Sequence, residues 1–64
     1  MILSIEKIRI AAANNRMTLK DLLTAAHVAK ATVKRIKDGL QVNTKTAGKL
    51  AAVLGVDVAE LLKD

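Results

Sequence analysis

Apolar residues recur along this chain at intervals of three and four, and short polar or glycine-marked gaps cut the recurrence into pieces. Ile5, Ile8, Ala11 and Ala12 share one face of a first helix that Ser4 can cap and that runs to about Asn15. Leu19, Leu22, Leu23 and Ala26 form the stripe of a second, which opens with Thr18 and Asp21 in capping-box spacing and ends near Ala25. The third runs from Lys30 to Lys37 and stops before Gly39, which can take the left-handed conformation that terminates helices. Val33 and Ile36 point to one side of it, and Lys30, Ala31, Lys34 and Arg35 share the other. Asn43 caps a fourth helix that carries Ala47, Leu50, Ala51, Val53 and Leu54 inward and is closed by Gly55, with Gly48 inside it read as permitting close packing. Asp57 and Glu60 repeat the capping-box spacing for a last short helix, Val58 to Lys63, with Val58, Leu61 and Leu62 inward. The pattern thus predicts an all-α chain of five short helices, with no strand candidate competing.

Length changes this picture little: 64 residues make one small domain, residues 1–64, since a chain this size buries only about 60% of its unfolded surface. Proline is missing, glycine occurs three times, and no repeat or low-complexity tract divides the sequence. With no Cys and a single His, His27, neither a disulfide frame nor a metal site can be built, so no cofactor is expected. Scattered Ser and Thr hydroxyls without a nucleophile–base constellation point away from an enzyme. No apolar run approaches the roughly 18 residues of a membrane span, and Met1-Ile2-Leu3 is too short for a signal peptide core, so the chain is expected to stay in the cytoplasm.

Charge changes the picture most. The formal net charge is +5, and residues 30–49 carry all of it: Lys30, Lys34, Arg35, Lys37, Lys45 and Lys49 stand against Asp38 alone, while the rest of the chain balances. A polyanionic phosphate backbone attracts such a patch and releases counterions as it binds. Because Phe, Tyr and Trp are absent, no ring is available to stack unpaired bases, and duplex DNA is the expected partner. Two short amphipathic helices joined by about three residues, the second basic, follow the plan of a helix-turn-helix.

The residues then match a family. Met17-Thr18 opens the second helix, Val28 ends the turn, Thr32-Val33 and Arg35-Ile36 lie in the third helix, Gly39 follows, and Leu50-Ala51 leads to Leu54-Gly55-Val56. In this order and spacing the chain resembles, from Ser4 to Lys63, the DNA-binding domain of the Cro and phage-repressor regulators, the XRE family. Thr44-Lys45-Thr46-Ala47-Gly48-Lys49-Leu50 is similar to stretches in short regulators of phages and integrative elements. The resemblance implies a compact lambda-repressor-like five-helix domain, with the helix-turn-helix at helices 2 and 3.

Several positions depart from the family pattern. Leu19 stands where relatives carry a phosphate-touching Gln, Leu23 where a small Ala lets the helices approach, and Ala26 where a larger aliphatic sits. Leu23 and Ala26 therefore read as a large-for-small exchange within one packing layer. His27 replaces the turn glycine, and Ala29 replaces the Ser or Thr cap of the recognition helix, at a cost of roughly 1 kcal/mol. Ala12 and Lys37 replace an Arg–Glu pair; losing both partners leaves no orphaned charge and adds a basic group near the DNA.

Carried over by position, the family's base-reading places fall on Lys30, Ala31, Lys34 and Arg35. Arg35 or Lys30 is expected to donate to guanine O6 and N7, and Ala31 to meet a thymine methyl. Thr18, Lys20, Thr32, Asn43, Lys45 and Lys49 are candidates for phosphate contact, because capped helix starts and their flanks present N–H groups and hydroxyls. Lys45 has a minor-groove alternative, as a basic residue at that place has in some relatives. The resemblance implies a transcriptional repressor that binds an inverted-repeat operator as a homodimer. Apolar surface for the dimer is sought in the last helix, Leu40, Val42, Ile10 or the Met1-Ile2-Leu3 end. The alternative is an antitoxin-like protein that binds a toxin as well as DNA; a toxin or antirepressor partner is left open, and no membrane association is expected.

Overall fold

Short polar side chains set three of the helix starts. Ser4 Oγ accepts from the Lys7 N–H at 3.3 Å, Thr18 Oγ1 from Asp21 at 3.1 Å and Asn43 Oδ1 from Thr46 at 2.7 Å. The computed structural model describes every residue from Met1 to Asp64 and contains four α-helices: α1 (Ile5–Asn14), α2 (Leu19–Ala26), α3 (Lys30–Lys37) and α4 (Thr44–Leu54). A single 3-10 turn, Val58–Leu61, follows.

All four helices stop in the same way. A residue in the left-handed region follows each: Arg16 (φ 57°), His27 (φ 57°), Gly39 (φ 75°) and Gly55 (φ 69°). The next residue's N–H then reaches back across the last turn, Met17 to Ala12 O, Val28 to Leu23 O, Leu40 to Arg35 O and Val56 to Ala51 O, at 2.9–3.1 Å. This is the Schellman arrangement, and the apolar residue after the left-handed one usually packs on the helix it terminates. Met17, Val28 and Val56 do so, half-buried against the core, whereas Leu40 is 46% exposed.

The expected stripes meet in one aliphatic core. Ile8, Ala11 and Ala12 of α1, Leu22 and Ala26 of α2, Ile36 of α3, and Ala47, Leu50, Ala51 and Leu54 of α4 are buried in it. Val33 is buried beside them, while Ile5, Leu19 and Val53 are half-buried against the cluster. Helix α2 packs on α4, and α1 packs on α2, α3 and the 3-10 turn.

Four expectations are corrected. The last helix does not reach Lys63: it is one 3-10 turn, and Leu62 is already extended (φ −69°, ψ 142°). The cause is a short antiparallel bridge between Leu3 and Leu62, which takes up the groups a longer helix would use. The Ser4 N–H donates to Leu61 O at 2.8 Å, Lys63 N–H to Ile2 O at 3.0 Å, and Lys7 Nζ to Leu62 O at 2.9 Å. At the turn's start Asp57 N–H donates to Glu60 Oε2 at 3.0 Å, as the capping-box spacing predicted.

Second, Leu3 and Val42 are core residues, not spare dimer surface, and so is Leu61. Met1 and Val42 exchange two bonds, N to O at 3.0 Å and O to N at 2.8 Å, so residues 1–4 lie stitched between the α3–α4 connection and the C-terminal end. Of the apolar residues considered for a dimer, Met1, Ile2, Ile10 and Leu40 remain exposed, Ile10 most at 63%. Third, Gly48 permits no close packing, since a Cβ built there meets nothing within 4 Å. Fourth, Leu23 and Ala26 do not share a packing layer: Ala26 is buried, but Leu23 lies outside the core on the surface between α2 and α3.

Candidate nucleic-acid interface

The geometry of the α2–turn–α3 unit follows from its ends. The capping box holds the start of α2, with Thr18 N–H donating to Asp21 Oδ2 at 3.1 Å in return for the Asp21 N–H bond to Thr18 Oγ1. Backbone and side-chain hydrogen bonds from Thr18 keep the Asp21 carboxyl below its ordinary pKa, against an opposing effect of desolvation and with help from the Lys20 charge. At the other end His27 supplies the left-handed residue (φ 57°, ψ 45°) and Val28 the apolar plug. Two residues later α3 begins, with Ala29 at its cap position making no side-chain bond.

With α3 so placed, Val33 and Ile36 are 7% and 3% exposed, and Lys30, Ala31, Lys34 and Arg35 face outward. On the wheel Ala31 is central, Lys34 and Arg35 flank it, and Lys30 lies on the α2 side. Arg35 is held: its Nη2 donates to the Gln41 carbonyl at 2.9 Å, which draws the guanidinium toward the α3–α4 connection. There Thr32, Arg35 and Asn43 come together in a polar notch of about 280 Å³ with Gln41 and Thr46, two lining residues the sequence did not single out. On the other flank Lys20, Lys30 and Lys34 border a groove between α2 and α3, joined by Lys37. Thr18 lies at the start of α2, while Lys45 and Lys49 are exposed on the outer face of α4; none of the three lines the notch or the groove.

The electrostatics are one-sided. The only ion pair in the protein is Lys7 Nζ with Asp64 Oδ1, at 2.7 Å, in the first turn of α1. The Lys7 hydrogen bond and charge lower the Asp64 pKa. No carboxylate pairs with any of the six cations between Lys30 and Lys49, so their charge is not neutralised within the chain. Ala12 is buried in the core and Lys37 is exposed, so the missing family pair leaves no buried charge. No helix is long and apolar enough to cross a membrane.

Comparison with known families identifies one that fits this geometry: the model of the Cro/C1-type HTH DNA-binding domain matches residues 7–64. No curated protein and no solved structure matches the chain. The match spans α2, the turn and α3 as well as the helices that brace them, all but the first six residues, and the chain therefore belongs to the Cro/C1-type helix-turn-helix DNA-binding family.

Proposed function

We propose that the protein is a sequence-specific regulator of transcription, a small repressor of phage or mobile-element type, whose residues 1–64 act as a single DNA-binding domain in the bacterial cytoplasm. It binds an inverted-repeat operator as a homodimer. The observation that carries this reading is the set of cations on α3 and α4 with no acidic partner in the chain, on a helix whose opposite side is core. Lys30, Ala31, Lys34 and Arg35 enter the major groove. Arg35 spends one of its five donors on Gln41 O and keeps the others for guanine O6 and N7. Ala31, at the centre of the face, meets a thymine methyl. Thr18, Lys20, Thr32, Asn43, Lys45 and Lys49 engage phosphates on either side and set the register without reading sequence.

The test is selection of bound duplexes from a randomised double-stranded library at about 150 mM salt, a strength that suppresses purely electrostatic retention. Enrichment of an inverted repeat with half-site centres about 10 base pairs apart is expected. Arg35→Ala then relaxes one position of each half-site by about 1–3 kcal/mol, whereas Lys45→Ala weakens all sequences alike. Retention that stays sequence-independent and vanishes with added salt would overturn the reading.

A further inference from the structure

Two departures from the family pattern, Leu19 and Leu23, come to the same place. With Val33 they form the apolar floor of the groove of about 370 Å³ between α2 and α3. Lys20, Lys30, Lys34 and Lys37 surround that floor, and no acidic side chain lines it. The core does not require the Leu23 side chain, which stands outside the buried cluster. Duplex DNA does not require the floor either: a phosphate laid against Leu19 finds no side-chain donor where relatives offer a Gln amide. An apolar floor inside a cationic rim complements a ligand that carries apolar anchors among negative charges.

The shape selects among such ligands. Small-molecule sites enclose roughly 70–90% of their ligand, which an open groove between two surface helices does not do. A helix laid along the groove needs no enclosure, because its anchors at i, i+3 and i+4 enter the floor while its flanks stay in water. Lys30, Lys34 and Lys37 lie along one edge of α3, eight residues from first to last, a length of about 10 Å and two turns of such a partner. We infer that this groove docks an acidic amphipathic segment of another protein, with aliphatic side chains against Leu19, Leu23 and Val33 and carboxylates against the lysines. Lys20, Lys30 and Lys34 belong to both surfaces, so the docked segment and DNA exclude each other. The exclusion rests on the DNA reading above; the docking does not.

The probe is a display library of random peptides of about 16 residues, some four helical turns, selected on the full chain at about 150 mM salt. Expected are peptides with Asp and Glu between apolar residues at helical spacing, bound at least tenfold more weakly, as an order-of-magnitude estimate, by Leu23→Ala. Lys37→Gln, a change at an exposed side chain, weakens them as well. Circular dichroism checks that both variants fold, and Leu23→Ala keeps duplex binding to within about twofold, since it removes no charged, phosphate-contacting or base-reading side chain. Selection without an acidic-apolar consensus, or peptides that bind Leu23→Ala as tightly as the parent, would overturn the docking. A Leu23-dependent peptide that no selected duplex displaces would overturn the exclusion. Duplex selection that fails while Leu23-dependent peptides bind would sink the DNA reading and leave the docking intact.

Discussion

Replacing Gly48 by Ala should make the protein more stable. Gly48 lies within α4, its φ is not positive, and a Cβ at this position touches nothing within 4 Å. The substitution therefore meets no steric cost and removes the backbone freedom that makes glycine unfavourable in a helix, a difference of about 1 kcal/mol. For 64 residues an unfolding entropy near 2.1 cal/mol/K per residue gives about 0.13 kcal/mol/K, so the midpoint should rise by about 7 °C. Without Trp, Tyr or Phe there is no intrinsic fluorescence to follow, and thermal unfolding read by far-ultraviolet circular dichroism is the suitable assay. A lower midpoint would refute the argument and return Gly48 to a packing role. A raised midpoint with weakened duplex binding would instead assign Gly48 to close approach of a DNA backbone, since it shares the outer face of α4 with Lys45 and Lys49.

Ala29→Ser supplies the absent cap of α3 and should add about 1 kcal/mol, seen as a higher urea midpoint with an unchanged slope. Leu3→Ala removes a side chain that is 1% exposed, and its expected cost of about 2–5 kcal/mol is comparable with the roughly 3–10 kcal/mol available to a domain of this length. A near-normal melting curve for that variant would contradict the core placement of Leu3. Asp21 and Asp64 both titrate below their ordinary value in the folded protein, so their stabilisation is present above the unfolded Asp pKa of about 4 and is lost as pH falls through the folded values. Melting temperature should therefore drop on acidification below about pH 4, and the drop should be smaller in the Asp21→Ala, Asp64→Ala double variant.

The helices were legible because caps and stripes are local. Ser4, Thr18 and Asn43 announce their helices with a side-chain acceptor, and Gly39 and Gly55 announce the ends. Arg16 was not legible: it takes the same left-handed conformation without any feature of its side chain to mark it, and only the bonds of Met17 and Arg16 back to α1 show that it must. Leu3 and Val42 escaped for another reason, since both lie outside helices, where a period of 3.6 says nothing about burial. The shortened last helix reflects competition between a local preference and a pairing with the opposite end of the chain, which no local window contains. At the interface, the exposed face of α3 was evident from the wheel. The Arg35 bond to Gln41 and the meeting of Leu19 with Leu23 in one groove depend on how α3 sits beside its neighbours.

The bridge between Leu3 and Leu62 also bears on synthesis. During translation the helix-turn-helix is complete in sequence by Lys37 and the Met1 bonds to Val42 follow soon after, yet the cover over Leu3 and the bonds of Ile2 and Ser4 arrive only with Leu61 and Lys63. Until then α1 lacks the 3-10 turn it packs against, and α3 leans on a helix that is braced only in part. Closing a loop of nearly the whole chain costs entropy that only the finished contacts repay. A product broken off before Leu61 would carry every proposed DNA-contacting residue and still present them on an unsettled scaffold, so fragments should compete poorly with finished copies for the same DNA.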